Sequence, residues 1–377
     1  MYTIITIQCV FILAAILQIL IYLGIFSRLA FYKPTFSPSR NPSFAENNLP
    51  ISVVICARNE AENLQKYLPL ILQQKYPEFE VIVVNDASTD DTQTILEAFE
   101  KKYSHLKTIQ TVGLKKNMAG KKFALTKGIE ASKNEHLLFT DADCYPASQD
   151  WIAGMVKNFT EKRQIILGFG PYAYHQGYLN KIIQYETLMT ALQYLSLSLM
   201  GMPYMGVGRN LAYHKSLFTE NQGFQNHKNI LSGDDDLFIN EVATPQNTTI
   251  HIDPKTFCYS EPPLDWRRWF AQKRRHLSTG KHYSILHKII LGMITSSHFM
   301  FYGTLIVVLI TQSLNSIIIL LFTLRLISQF VVFKQVLKKL KVPLNFWHII
   351  LIDAWFIFYY GIFSPTIFSK AQVTWKK

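Results

Sequence analysis

The chain has 377 residues, of which 49% are hydrophobic and only 17% are charged, and its formal net charge is +12. This composition favours a membrane protein over two or three ordinary soluble domains. The basic residues crowd the segments beside the apolar blocks, where anionic lipid headgroups would attract them, so membrane lipids are expected as partners and nucleic acid is not.

Three apolar blocks carry almost no charge. They are residues 2–27 with no charge, residues 289–333 with only Arg325, and residues 343–369 with only Asp353. Because about 20 apolar residues span the hydrocarbon core of a bilayer, the blocks predict about four transmembrane helices, two of them joined by a turn at residues 312–316. No basic region precedes the first block, so we expect an uncleaved helix over residues 1–27 rather than a signal sequence.

Basic residues beside these blocks indicate how the chain is oriented. Arg28 and Lys33 follow the first helix, and four lysines in residues 334–341 separate the last two helices. By the positive-inside rule, both groups are cytosolic, which predicts a multi-pass protein of the cell (inner) membrane with residues 28–288 in the cytosol. The lysines of residues 370–377 would then lie outside, against the rule.

Strands and helices are predicted to alternate after a Pro-, Ser- and Asn-rich linker at residues 28–49. Strands are expected over residues 51–56, 81–84, 108–112 and 136–139, and helices over residues 60–74, 92–102 and 121–132. This alternation predicts an α/β domain with a mostly parallel sheet covered on both faces. Ligands of such sheets bind beyond the carboxyl ends of the strands.

Polar side chains follow three of these strands. The segments are Ala57-Arg58-Asn59-Glu60, then Asn85-Asp86 with residues 87–90, and finally Asp141-Ala142-Asp143. Each segment alone is also explained by capping of the helix that follows it. Their common placement at one edge of a sheet favours a ligand site.

Asp141 and Asp143 bring two carboxylates to the end of one strand. Such a pair repels itself unless a cation lies between the carboxylates, and hard oxygen ligands suit Mg²⁺ or Mn²⁺. An ion of this kind commonly bridges protein carboxylates to phosphates. For this motif alone, a solvated acidic turn is the alternative.

Several segments resemble, in their order along the chain, motifs of the family 2 glycosyltransferases. They are the strand followed by ARNE, VVNDASTDDT, Gly120-Lys121, TDAD, GVGRNLA at residues 206–212, Gly223-Phe224, Gly233-Asp234-Asp235, and QKRRH at residues 272–276 in place of QxxRW. The resemblance covers roughly residues 50 to 280. It implies a Rossmann-like GT-A fold over residues 50–284, a C-terminal membrane region over residues 285–377, a nucleotide-sugar donor, and inversion at the anomeric carbon.

The same resemblance implies roles for individual residues. Asp143 would hold the metal, Asp141 would lie near the sugar and ribose, and Asp86 would accept a hydrogen bond from the nucleobase. The implied substrate-binding residues are Ala57, Arg58, Glu60, Asp86, Lys121, Asp141, Gln272 and Arg275, with Arg209 and Asn210 on the acceptor side. Asn85 and His276 stand where the family often has an acid and a tryptophan.

Inversion needs a carboxylate that takes the proton of the acceptor hydroxyl as it attacks. The family alignment selects Asp235, whereas spacing alone leaves Asp234 and Asp236 open. Residues 178–204 mix apolar side chains and tyrosines with few charges, which is typical of an interfacial helix beside a lipid or glycan acceptor. Core packing explains that helix equally well, and a similar interfacial helix is predicted at residues 266–270.

Three further hypotheses follow from the same residues. A polysaccharide synthase that couples polymerisation to export is the alternative function, because four helices could frame a channel. A haloacid dehalogenase-like phosphatase also places DxD after a strand, but there the motif normally opens the domain. Within the apolar blocks, Arg325 and Asp353 are expected to form an ion pair, because unpaired charges at membrane depth are costly.

Overall fold

The computed structural model describes residues 2–33 and 49–368, with the last five as backbone only. The strands are β1 Ile51–Ala57, β2 Phe79–Asn85, β3 Leu106–Gln110, β4 His136–Asp141, β5 Cys144–Pro146, β6 Ile165–Leu167, β7 Leu211–His214, β8 Thr248–Ile250 and β9 Cys258–Ser260. The helices are α1 Tyr2–Ala30, α2 Ala61–Leu72, α3 Thr92–Lys102, α4 Lys122–Ala131, α5 Trp151–Val156, α6 Tyr178–Leu199, α7 Lys215–Glu220, α8 Asp236–Val242, α9 Trp266–Leu277, α10 Ile285–Ile310, α11 Ser316–Leu340 and α12 Phe346–Phe368. Most of the predicted linker and all of residues 370–377 lie outside the described part.

The larger sheet has the strand order β3-β2-β1-β4-β7-β6-β8. Its strands β1 to β4 pair in parallel, and only β7 runs antiparallel to its neighbours β4 and β6. β1 is buried along its whole length, as expected for a strand covered by helices on both faces. The α/β class and the mostly parallel sheet predicted from the sequence are therefore confirmed.

A second, two-stranded sheet was not predicted. β5 pairs antiparallel with β9, although more than a hundred residues separate them in sequence. Both strands are three residues long, so neither produces a periodic pattern that can be recognised in the sequence. The predicted strand at residues 108–112 is also shifted, because β3 pairs from Leu106 opposite Val81.

Helix α4 lies unusually close to the sheet. A Cβ atom at Gly128 would come within 2.6 Å of the Val54 side chain and 3.1 Å of the Val84 side chain. Only glycine permits this approach of helix to strand. It brings the first residues of α4 to the carboxyl edge of β1 and β4.

Within the described residues, four helices are long and apolar enough to cross a membrane, namely α1, α10, α11 and α12. The break between α10 and α11 falls at residues 311–315, as predicted. α1 continues to Ala30, three residues beyond its predicted end, because Leu29 and Ala30 are buried against the rest of the chain.

The predicted basic loop at residues 334–341 was wrong in its structure. α11 continues to Leu340, so Lys334, Lys338 and Lys339 lie in its last two turns and Lys341 follows as its C-cap. Lys339 donates hydrogen bonds to the carbonyl oxygens of Leu29 and Tyr32 at the end of α1. This contact satisfies backbone acceptors that the end of a helix leaves free, and it extends α11 beyond the apolar block.

Helix α6 is a core helix rather than one lying freely in an interface. Fourteen of its 22 residues are buried, and they lie on every side of the helix. α6 contacts β8, the end of α1, and α12. It therefore joins the α/β domain to the apolar helices, and of the two interpretations of residues 178–204, core packing is the one that describes this helix.

Candidate functional site

The carboxyl ends of β1 and β2 are joined by hydrogen bonds. The Asp86 N–H donates to the Ala57 carbonyl at 2.8 Å. Asn59, with φ of 55°, donates its N–H to Ser88 Oγ at 2.9 Å, and its Oδ1 accepts from the Thr89 N–H at 2.8 Å. The ARNE and NDAST segments thus form one rigid unit at the sheet edge.

Two predicted substrate-binding residues start α2. The Glu60 N–H donates to Thr92 Oγ1 at 2.9 Å, and its carboxylate accepts from Asn63 Nδ2 at 2.6 Å. Glu60 is buried, whereas Arg58 is half-buried in the turn before it. Glu60 therefore organises the turn that presents Arg58.

Asp86 is completely buried and is held on one oxygen only. Its Oδ1 accepts from Thr111 Oγ1 at 2.7 Å and lies 2.7 Å from Lys116 Nζ. Its Oδ2 is buried and has no hydrogen-bond partner among the residues that the structure describes. A buried carboxylate oxygen without a donor is costly, so this atom is suited to accept a hydrogen bond from a ligand.

The acidic pair at the end of β4 has the geometry of a cation site. Ligand atoms of Asp141, Asp143 and Cys144 all lie within 4.8 Å of one another. Burial, reinforced by the negative charge of Asp141, raises the pKa of Asp143. Burial also raises the pKa of the Cys144 thiol well above its usual range, so the thiol stays protonated and the two carboxylates are the fitting ligands.

Lys121 connects the two acidic segments of the site. Its ammonium contacts Asp141 and lies 3.7 Å from Asp234 Oδ2. Against the effect of burial, the Lys121 charge holds the pKa of Asp141 below its usual value. Asp141 is therefore neutralised by Lys121, which leaves Asp143 as the carboxylate that gains most from a bound cation.

The two residues predicted on the acceptor side behave differently. The Arg209 guanidinium stacks on the Tyr172 ring, 4.2 Å from its centroid. Asn210 is buried, where it accepts from Trp151 Nε1 and donates to two backbone carbonyls, each at 2.9 Å. Asn210 thus holds the core together below the site, and Arg209 is the residue of this pair that is half-buried beside it.

Helix α9 carries the last predicted substrate contacts. Arg275 is half-buried. Burial raises the pKa of Asp141, and the charges of Lys121, Arg209 and Arg275, in this order of effect, lower it. Gln272 has a buried Oε1 that finds no hydrogen-bond partner in the described part of the chain. The ring of Trp269, on the same helix, packs 5.7 Å from that of Phe363 in α12. α9 therefore contacts both the site and an apolar helix.

Asp235 lines a small cavity at the carboxyl edge of β4, together with Lys121 and Thr140. Its Oδ2 accepts from the Gly208 N–H at 2.7 Å, and its Oδ1 accepts from the Asp236 N–H at 2.8 Å. Burial, with the charges of Asp234 and Asp236, raises the pKa of Asp235 to about 7. A carboxylate with this pKa is well matched to proton transfer near neutral pH.

The neighbouring acids are already engaged. Asp236 Oδ2 accepts from Thr279 Oγ1 at 2.5 Å and from the Tyr283 hydroxyl at 2.6 Å, and its Oδ1 accepts from the Leu237 N–H. Asp234 faces Lys121. Of the three aspartates, Asp235 is thus the one that lines the cavity without a cationic or hydroxyl partner among the described residues.

Sequence reasoning missed two lysines that the structure brings to this edge. Lys116 reaches Asp86 from the loop after β3, and Lys122 lies buried at the start of α4. Lysine is mostly exposed in proteins, so neither position carried a signal that could have singled it out.

A mostly parallel α/β sheet with polar strand ends and a DxD at its carboxyl edge defines the GT-A class of folds. A solved structure supports this class. It is the mannosyltransferase PcManGT from Pyrobaculum calidifontis, in complex with GDP-Man and Mn²⁺, which aligns over 93% of this chain and 99% of its own with a TM-score of 0.56 and 17% identity.

Sequence comparison points to one family. Residues 52–220 match the family described as Glycosyl transferase family 2. It is 38% identical over 104 residues to the glycosyltransferase AglE of Haloferax volcanii, covering 27% of this chain and 33% of AglE. It is 37% identical over 93 residues to the poly-beta-1,6-N-acetyl-D-glucosamine synthase of Staphylococcus epidermidis, covering 25% and 21%. The aligned part thus spans a third or less of these relatives.

Proposed function

We propose that the chain is an integral-membrane, metal-dependent, inverting glycosyltransferase. It transfers a sugar from a nucleotide-sugar donor to a lipid or lipid-linked acceptor at the cytosolic face of the cell membrane. The observation that carries the proposal is the convergence of Asp235, Lys121 and the Asp141–Asp143 pair at one edge of the sheet. The match of residues 52–220 to Glycosyl transferase family 2 supports this proposal over the haloacid dehalogenase-like alternative.

The donor side of the site is cationic where a leaving diphosphate gains charge. Asp143, with Asp141 beside it, would hold Mg²⁺ or Mn²⁺, which would neutralise diphosphate oxygens when bound. Lys121 and Arg275 add positive charge of the chain's own beside the same carboxylates. Fixed charges aimed at developing negative charge lower the barrier to breaking the bond between sugar and diphosphate.

The acceptor side supplies the base. Asp235 takes the proton of the attacking hydroxyl, and the Gly208 N–H fixes the direction in which its carboxylate points. A Cβ atom at residue 208 would lie 3.3 Å from Asp235 Oδ2, so glycine allows this close contact. Inversion follows because the hydroxyl attacks from the side opposite the diphosphate.

A lipid acceptor is favoured by the position of two helices. α6 contacts both β8 and α12, and α9, which carries Arg275, contacts α12, one of the four apolar helices. An acceptor headgroup at the membrane surface would therefore meet the site without leaving the bilayer. Similarity to the poly-beta-1,6-N-acetyl-D-glucosamine synthase supports the alternative, a polymerising enzyme. The size of the product distinguishes the two functions. Transfer to a lipid acceptor gives one added sugar on an extractable lipid, whereas a polymerising enzyme gives a ladder of polymer lengths.

Chelation tests the proposal directly. Membranes containing the chain should transfer label from a radiolabelled nucleotide sugar, and EDTA should abolish the transfer until Mn²⁺ or Mg²⁺ is added. Asp143→Asn should lose at least ~10-fold in metal-dependent nucleotide affinity, as expected when a hard cation loses a carboxylate ligand. Asp150→Asn, at an exposed position nearby, is the control and should behave as wild type. Transfer that is indifferent to EDTA would remove the metal from the proposal.

The nucleobase preference follows from Asp86 and Lys116. Uracil, thymine and guanine place an N–H beside a carbonyl, which matches the free Asp86 Oδ2 acceptor and the neighbouring Lys116 donor. Cytosine and adenine lack this N–H. UDP or GDP should therefore bind at least ~10-fold more tightly than CDP and ADP, because a site built for a hydrogen bond rejects ligands that leave it unpaired.

Titration calorimetry with the four diphosphates and Mn²⁺ measures that preference. Lys116→Met should weaken the binding of the preferred diphosphate and reduce the difference in affinity between the four nucleotides. Lys115→Met, at an exposed neighbouring position, should change neither quantity. Equal affinity for all four nucleotides would show that Asp86 does not contact the base.

A further inference from the structure

Two consecutive lysines at the start of α4 have different partners. Lys121 contacts the carboxylates of the site, whereas Lys122 is completely buried and points elsewhere. Lys122 Nζ donates to the carbonyl oxygens of Ile230 and Ser232, each at 2.5 Å. A fully buried lysine is rare, because removing its charge from water is costly. The two hydrogen bonds to backbone carbonyls therefore indicate a specific role for Lys122.

The carbonyls belong to residues 228–233, here called the approach segment because they lead into Asp234 and Asp235. This segment meets the start of α4 at two more points. The Ala119 N–H donates to the Lys228 carbonyl at 2.7 Å. A Cβ atom at Gly120 would lie 2.1 Å from the Leu231 carbonyl oxygen. The approach segment is thus pressed against the backbone that precedes α4, and Lys122 closes the contact.

Beyond the approach segment, the chain turns sharply into the three aspartates. Gly233 has φ of 94°, a conformation that favours glycine, and a Cβ atom there would lie 2.4 Å from the Leu237 side chain. Asp235 follows two residues later, with its carboxylate held by the Gly208 N–H. The carboxylate is therefore fixed from one side by Gly208, and its backbone is fixed from the other side through Lys122.

We propose that Lys122 is a positioning residue for the catalytic base, an inference that rests on the proposed glycosyltransferase function. It clamps the approach segment to the start of α4 and so sets the distance between Asp235 on the acceptor side and the Lys121–Asp141 contact on the donor side. One short piece of chain, residues 119–122, then holds both halves of the site in register. A misplacement of about 1 Å at a reacting group is enough to lower a rate by ~100-fold.

The charge of Lys122 gives this role a signature that packing alone would not have. Burial lowers the pKa of Lys122, while Asp234, Asp236 and Asp235 act in the opposite direction. His227 and His282 also lie within its electrostatic reach. The groups that act on the Asp235 carboxylate are Asp234, Asp236 and the Gly208 N–H. Removal of the ammonium leaves the aspartates without this neighbouring positive charge, which favours the protonated form of Asp235.

Lys122→Met in the full-length protein in membranes or detergent tests the inference. We expect kcat to fall ~10- to 100-fold while the affinity for nucleoside diphosphate with Mn²⁺ is retained, because the donor residues are untouched. In a plot of kcat against pH, the fall of kcat on the acidic side (the acid limb) should move to higher pH by about half a unit or more. Lys122→Arg, which keeps the charge and the donors, should restore most of kcat and return the acid limb toward its original position.

Lys127→Met is the matched control, because Lys127 lies on the same helix in an exposed ion pair with Glu130, and it should leave kcat and its pH profile unchanged. A Lys122→Met enzyme with normal kcat and pH profile would overturn the inference. Parallel loss of nucleotide binding and kcat in both Lys122 variants would also overturn it, because Lys122 would then serve the fold of the sheet. A wild-type protein that binds nucleotide but transfers no sugar would instead contradict the proposed function.

Discussion

Asp235→Asn should reduce sugar transfer by at least ~100-fold while leaving the affinity for nucleotide and Mn²⁺ unchanged, the expected result of losing a general base. The amide keeps the size of the side chain and can still accept from the Gly208 N–H, so the donor site is preserved. Transfer is measured with labelled donor in membranes, and binding by calorimetry. If Asp235→Asn transfers normally while Asp234→Asn does not, the base is Asp234.

The same variant should change the response to pH. Burial and the neighbouring aspartates raise the pKa of Asp235 to about 7, so the wild-type rate should fall as the pH drops through about 7 and the base becomes protonated. Any residual transfer by Asp235→Asn should lack this limb. A wild-type rate that is constant from pH 8 to pH 5 would be incompatible with Asp235 as the base.

Stability should respond in the opposite direction. Because the folded pKa lies above the unfolded value, protonation of Asp235 stabilises the fold at low pH, and this contribution is lost as the pH rises through about 7. Asn carries no charge to bury. The Tm of Asp235→Asn relative to wild type should therefore be higher at pH 8 than at pH 5, so that a gain in stability accompanies the loss of activity.

Sequence patterns were sufficient to predict the position of those site residues that lie at the ends of strands. β1, β2 and β4 are continuous buried runs, so their carboxyl ends, and with them Ala57, Asp86, Asp141 and Asp143, could be placed on one edge. Spacing could not choose among Asp234, Asp235 and Asp236. That choice depends on Thr279 and Tyr283, which lie more than forty residues away in sequence and engage Asp236.

Other parts depend on contacts that no local pattern encodes. Asn210 and Arg209 are adjacent, yet one fills the core and the other stacks beside the site, because Trp151 and two distant carbonyls capture the amide. Lys122 looks like any solvated lysine at a helix start. Its burial depends on the approach segment, whose path is set by three-dimensional packing.

The predicted ion pair between Arg325 and Asp353 is confirmed, although α11 extends beyond the apolar block that carries Arg325. Arg325 Nη2 lies 2.7 Å from Asp353 Oδ2, and both side chains are completely buried. The cost of an unpaired charge at membrane depth was sufficient to predict the partner, because Arg325 is the only Lys or Arg, and Asp353 the only Asp or Glu, in the apolar blocks of residues 289–333 and 343–369. The exact length of α11 did not enter that argument.

Several further side chains complete the surroundings of this pair. Asp353 Oδ1 accepts from the Tyr185 hydroxyl at 2.5 Å and lies 3.1 Å from His298 Nε2, and Oδ2 accepts from the Tyr302 hydroxyl at 2.6 Å. Tyr185 belongs to α6, the helix that joins the α/β domain to the apolar helices. Asp353 therefore anchors both Arg325 and the catalytic domain.

Removal of either charge should be strongly destabilising. Arg325→Asp and Asp353→Arg should each lower the yield of folded protein in membranes, because breaking a buried pair by losing one partner costs ~3–5 kcal/mol. Fluorescence-detected size exclusion and thermal denaturation in detergent measure the effect. Lys334→Met, at an exposed position on the same α11, is the control and should fold as wild type.

The double swap, Arg325→Asp with Asp353→Arg, decides what the pair is for. The hydroxyls of Tyr185 and Tyr302 contact Asp353, and the side-chain amides of Gln18 and Gln329 contact Arg325. Hydroxyls and amides can both donate and accept, so they can adapt to the exchanged charges, and much of the folded yield should return. An acceptor path lined by this pair would give a different pattern, in which the single variants fold normally but transfer less sugar. No recovery in the double variant would reject the pairing as the source of stability. We expect recovery, because Asp353 receives Arg325 and Tyr185 at once and so holds three helices to one carboxylate.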